Sequence, residues 1–353
     1  MVRLIPFRRY ETALAGFGLV ELMIALALGT IIILGVTTLF SDSSRALNDI
    51  NRAGRQLENS LYAIDLLAKE LALVDYWGEA SAPVDADDPA YGALRASELD
   101  GLEIGPYPAS PPLCVGTGIT GFDPRVELAW AMESPLLSGA SGDGSDLNEA
   151  LDNNYCKGVA SAPADDSAYL AVRRASTCAT GVGSIATNNA CREVDDFFYL
   201  QTNGCYDENA GLSGGEVKLY RAGSADIESL LTYSRYQCDP SDRAPIYRYV
   251  SRIYYINQSD QLVRLFLDSL SAGDHGYVQE ILVDGVEDLQ FEWFLDDSGD
   301  GIYDRKVSEV IPADAANVIG AKIWLKVRSP QDARPSSVHS RVVSLPNRVG
   351  RRR

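Results

Sequence analysis

Three features of the 353-residue sequence predict an α+β fold, a long N-terminal helix packed on an antiparallel β-sheet domain with long loops. Phe17 to Phe40 reads FGLVELMIALALGTIIILGVTTLF, an apolar run whose only charge is Glu21. Behind it, apolar residues recur at alternating spacings of three and four, as one face of a helix requires. Beyond residue 165, short runs of alternating apolar and polar residues gather between turn-forming segments, the mark of half-buried strands.

The apolar run comes first. Residues 1–16, MVRLIPFRRYETALAG, set Arg3, Arg8 and Arg9 against the single acid Glu11. The 24 residues that follow make roughly 36 Å of helix, enough to cross a hydrocarbon core of about 30 Å. Positive charge ahead of such a span keeps the amino end cytoplasmic, so the rest of the chain is expected outside, in the periplasm. A secretory signal would place its cleavage site after the apolar stretch. Here the stretch leads straight into further helix. A carboxylate in a membrane segment is costly and calls for a partner charge. Cleavage before Phe17 would create one, a free α-amino group four residues from Glu21.

The second segment, expected at 41–75, carries Leu47, Ile50, Gly54, Leu57, Leu61, Ile64, Ala68 and Leu71 in one stripe. The stripe is expected to pack on the chain's own domain, since about four heptads with a central glycine make a poor free coiled coil. Residues 76–165 lose this period and are rich in Asp, Ala, Ser, Gly and Pro. They read as surface loops with short strands such as Arg125–Met132. Strands are then expected at Ala168–Arg173, Phe197–Thr202, Glu216–Arg221, Tyr247–Asn257, Gln261–Leu267, Tyr277–Val283, Val286–Leu295 and Ala321–Arg328. Together they form an antiparallel meander within a globular domain spanning 76–353.

Composition bounds the chemistry. Lys and Arg total 31 against 49 Asp and Glu, a net charge of −18, so direct nucleic-acid binding is not expected. The six cysteines, Cys114, Cys156, Cys178, Cys191, Cys205 and Cys238, contain no CxxC pair and have only two histidines beside them. An even number downstream of an export signal reads as disulfides in an oxidising compartment, with 15 possible pairings. Asp296, Ser298 and Asp300, followed by Gly301 and then Asp304, match positions 1, 3, 5, 6 and 9 of an EF-hand-like loop and are candidate calcium ligands. The twelfth position is Val307, not glutamate, and an acidic hairpin turn explains the same residues. No HExxH or phosphate-loop motif is present and the chain has only two histidines, so no enzymatic activity is expected.

Gly16 followed by FGLVELMIALALG resembles the type IV prepilin signature, with a glycine, a cleavage point, an aromatic first residue and a glutamate fifth. The resemblance implies that a prepilin peptidase cuts after Gly16 and N-methylates Phe17, and that Glu21 guides assembly. The fold it implies is a pilin helix, with anchor and amphipathic halves, on a β-domain. Major pilins often carry proline where Thr38 stands, and Gly29 and Gly35 could weaken the helix instead. GFGLVELMIALALG, RRASTC at Arg173–Cys178, ILVDGVEDLQFEW and VVSLPNR together look like PilW-type minor pilins. That likeness implies a subunit that primes pilus assembly, sits first in the inner membrane and then at the pilus tip, and supports twitching, adhesion and DNA uptake. The partners it implies are other minor pilins, the major pilin, a tip adhesin and the inner-membrane assembly platform. The J-type minor pseudopilin of type II secretion shares the prepilin signature and is the alternative.

Overall fold

The computed structural model describes residues 18–78, 113, 134–139, 147, 151, 162–164, 167–180, 198–202, 206–207, 212–213, 217–221, 244–267, 277–328 and 336–349. The chain divides into two units, Met1–Arg55 and Gln56–Arg353. The boundary falls inside one uninterrupted helix, α1, Leu19–Ala72, which continues through Gly29, Gly35 and Gly54. The α+β expectation is met, with a long apolar N-terminal helix and antiparallel sheets.

In the second unit the strands are β1 (Leu136–Gly139), β2 (Tyr169–Thr180), β3 (Phe198–Thr202), β4 (Tyr206–Asp207), β5 (Leu212–Ser213), β6 (Val217–Arg221), β7 (Ile246–Ile256), β8 (Gln261–Leu267), β9 (Tyr277–Asp284), β10 (Val286–Leu295), β11 (Arg305–Val307), β12 (Val318–Val327) and β13 (Ser337–Ser344). Two single-turn helices, α2 (Pro312–Ala315) and α3 (Pro346–Val349), precede β12 and follow β13. Among the described residues these strands make two main antiparallel sheets and a small β4–β5 pair, where a single meander was expected. In the larger sheet β7 pairs with β2 along one edge, while β3 and β8 share its other edge end to end. Among the described residues only β7–β8–β9 is a true meander there. The smaller sheet runs β11–β10–β12–β13. The strand Arg125–Met132 lies outside the described residues.

Alternation along the strands explains two cores. Leu170 and Val172 of β2, with Tyr254 and Ile256 of β7, face a cluster that also holds Ile64, Leu67 and Leu71 of α1 and Leu289, Trp293, Ile323 and Leu325 of the smaller sheet. Their sequence neighbours Ala171, Ile253 and Tyr255 face a second cluster with Trp77 and Leu265. The rear of α1 thus packs against both main sheets.

The helical stripe requires a correction. Ile64, Ala68 and Leu71 are buried as expected, but Leu47, Ile50, Leu57 and Leu61 are 49–66% exposed. The buried face starts at Ser60 and runs through Ala63, Ile64, Leu67, Ala68, Glu70 and Leu71. No residue from 41 to 59 is buried on any face of the helix, so the packed part of α1 begins at Ser60 whatever the phase of the stripe before it.

Polar ties reinforce this packing. Consecutive strand residues point to opposite faces, so Arg173 and Arg174 are both buried, one in each core. Arg174 and Arg252 close on the buried carboxylate of Glu70 from the sheet facing α1. Arg173 donates to the carbonyls of Ser134 at 2.8 Å and Leu113 at 3.2 Å. Burial, with Glu70 nearby, pushes the Tyr254 hydroxyl up to about 12. At the end of α1 the Asn347 amide donates to the carbonyls of Ala72 at 3.4 Å and Val74 at 3.0 Å, satisfying acceptors a helix end leaves open.

Candidate assembly and membrane-anchoring helix

Gly18 caps the start of α1, and Glu21 stands in the third helical position. From there its Oε2 accepts the Gly18 backbone N–H at 3.1 Å. This is the reach-back half of a capping box, and it lays the only carboxylate of the apolar stretch against the positive end of the helix dipole. Gly16 and Phe17, the expected cleavage junction, lie outside the described residues.

Leu19 through Phe40 is exposed nearly throughout, with side chains such as Leu19, Ile31, Leu34, Leu39 and Phe40 between 66 and 77% accessible. A helix apolar on all sides belongs in a buried or lipid setting. This one is long and apolar enough to cross a membrane, and serves equally by composition as an anchor or a signal sequence. Its remaining polar side chains are internally satisfied. The hydroxyl of Thr30 donates to Ala27 O at 2.8 Å, Thr37 to Ile33 O at 2.6 Å and Thr38 to Gly35 O at 2.8 Å. Counting Glu21, each of the four polar side chains between Gly18 and Phe40 has a partner on its own helix, as a low-dielectric surround demands.

The candidate calcium loop follows β10. Asp296 Oδ1 accepts Gly299 N–H at 2.6 Å, and its Oδ2 accepts Gly301 N–H at 2.9 Å. Asp304 Oδ2 accepts the N–H groups of Asp297 and Ser298, both at 2.8 Å, and Asp300 accepts Ile302 N–H at 2.8 Å. The oxygens expected to converge on a cation therefore hold the turn's own backbone. Gly299 and Gly301 take the positive φ the turn requires. Asp297 and Asp314 both bind Arg305, raising its pKa and tying the turn to α2. Among the described residues no three His, Cys, Asp or Glu side chains are grouped to hold a metal ion.

Of the cysteines, Cys178 is described, and it is disulfide-bonded. It ends an irregular stretch of β2 in which register passes from Ala175↔Tyr249 to Ala179↔Tyr247. The Ser176 hydroxyl holds that bulge by accepting Cys178 N–H at 3.0 Å. RRASTC is thus a strand with one guanidinium in each core followed by a pinned bulge. Cys114, Cys156, Cys191, Cys205 and Cys238 lie outside the described residues.

No family model matches the chain, and neither a curated protein nor a solved structure matches it.

Proposed function

We propose that this chain is a type IV prepilin-like subunit, cleaved between Gly16 and Phe17, N-methylated on Phe17 and held in the inner membrane by the front of α1. On this reading it is a PilW-type minor pilin. It primes pilus assembly with other minor pilins, a tip adhesin, the major pilin and the assembly platform, and has no catalytic role. The observation that carries the reading is the apolar helix whose one carboxylate is folded back onto its first turn. A plain anchor has no use for that acid. A subunit that must match its axial register to a neighbour does, because an unpaired carboxylate among packed apolar helices costs several kcal/mol.

Mass spectrometry of the native protein, made beside a prepilin peptidase, tests this directly. The expected mass is that of a chain beginning at N-methylated Phe17. A chain still beginning at Met1, or trimmed past Phe40, overturns it. Glu21→Val should insert in the membrane yet fail to co-purify with partner pilins. Deleting the gene and scoring surface pili against secreted proteins separates the pilus role from that of a secretion pseudopilin.

A further inference from the structure

Between its apolar stretch and its packed end, α1 has a third part with neither kind of support. Residues 41–59 read SDSSRALNDINRAGRQLEN, and none of them is buried. Nine of these 19 are Ser, Asp, Asn or Gly, types that favour caps and turns over a helix interior. In residues 60–72 only two of 13 are of these types, and seven residues are buried. Among the described residues, the side-chain ties of residues 41–55 stay on the helix itself. Asp42 meets Arg45 at 4.0 Å with both side chains more than 70% exposed, and Arg55 donates to Asn51 O at 3.5 Å. Gln56 is the first side chain of α1 to reach a sheet, donating to the carbonyls of Val327, at 3.3 Å, and Arg328. Gly54 stands two residues ahead of that tie, where a Cβ would meet nothing within 4 Å. No close approach therefore calls for glycine there, and its effect is to weaken the helix.

Most helical stability in proteins comes from packing of a buried face, and this segment has none. Opening it uncovers no core and breaks no bond to a sheet. What resists opening is the interruption of the helix, which disfavours the open state on the order of a thousandfold. Opening the packed end instead strips Ala63, Ile64, Leu67, Ala68 and Leu71 from the main core and Glu70 from its two guanidiniums. The two openings therefore belong to different levels of stability. We propose that residues 41–55 are a joint in α1, a segment that opens on the hydrogen-exchange timescale while the packed end stays folded. A continuous helix of 54 residues is a lever. When the joint opens, a pull or twist on the apolar stretch is no longer transmitted to the sheets. The inference stands on burial and composition and does not depend on the prepilin reading.

Hydrogen exchange of the full chain in detergent micelles, read peptide by peptide along α1, tests this. Amides of residues 41–55 should exchange at least about a hundredfold faster than those of residues 63–71. Gly54→Ala, whose new methyl group meets no neighbouring atom, should slow exchange across residues 48–55 by about fivefold and leave residues 63–71 unchanged. Leu67→Ala, which weakens the packed end, should speed exchange at residues 63–71 and leave residues 41–55 as they were. Equal protection along residues 41–71 overturns the proposal, and so does a Gly54→Ala variant that exchanges like the parent. A Leu67→Ala effect that spreads through residues 41–55 overturns it as well, because the helix would then open as one unit.

Discussion

Between Leu19 and Phe40, α1 turns apolar side chains outward on every side, and each of its few polar groups finds a partner on the helix itself. Between Ser60 and Ala72 the same helix buries one face and sends its polar groups to other elements, Glu70 to Arg174 and Arg252, and Asp65 to Arg341. The first stretch is self-contained and leaves its apolar surface for an environment outside the chain. The second is completed by the sheets. The difference teaches that helix continuity says little about what stabilises a helix, since the two stretches answer to different surroundings.

The sharpest way to break this comparison is to remove one carboxylate from each stretch. Glu70→Ala strands two guanidiniums in a site where Arg174 is only 6% exposed, and should lower the unfolding free energy of the globular unit by about 3–5 kcal/mol. Urea titration of the full chain in detergent, followed by tryptophan fluorescence, measures it. Glu21→Ala in the same assay should leave the midpoint unchanged, because its hydrogen bond closes within the first turn of the helix. Equal effects of the two substitutions would show that the stretches are not energetically separate. A second pair concerns packing. Leu67→Ala empties a fully buried site and should cost about 2–5 kcal/mol. Leu26→Ala, at a position 63% exposed to its surroundings, should not move the same transition.

Sequence reading succeeded where a pattern is local. Strand existence followed from period two, and β8 and β10 match their expected bounds, Gln261–Leu267 and Val286–Leu295. The long apolar helix followed from hydropathy alone. What escaped was non-local. β13 was missed because a strand with one buried valine and a run of exposed polar residues has no alternation to see. The division into two sheets depends on which edge of β7 each strand finds, and no single segment encodes that. Glu70 sits in KELALVD as an ordinary helix-surface acid, and only the register that brings Val172 opposite Arg252 shows that it faces two guanidiniums. The acidic turn reads two ways from sequence, since the alternate oxygens that wrap a cation also suit a turn that hydrogen-bonds to itself.

The smallest expected effect tests whether the surface tie at Asp65 belongs with the rear of the helix or is incidental to it. Hydrogen bonds from Lys69 and then Arg341 hold the Asp65 carboxyl below its ordinary value of 3.8. A depressed carboxyl contributes stability that is fully present above its unfolded value and is lost as pH falls through the folded one. The contribution should therefore be complete above about pH 5 and fade below 3.8. Arg341→Gln removes one of the two cations, so the variant should be slightly less stable than the parent at neutral pH. The gap should close as the medium is acidified, and it should also narrow in salt, because both partners are at the surface. Chemical denaturation at several pH values gives the curve. A gap that stays constant from neutral to acid would mean that Arg341 acts through its packing on α1 and β13 and not through its charge.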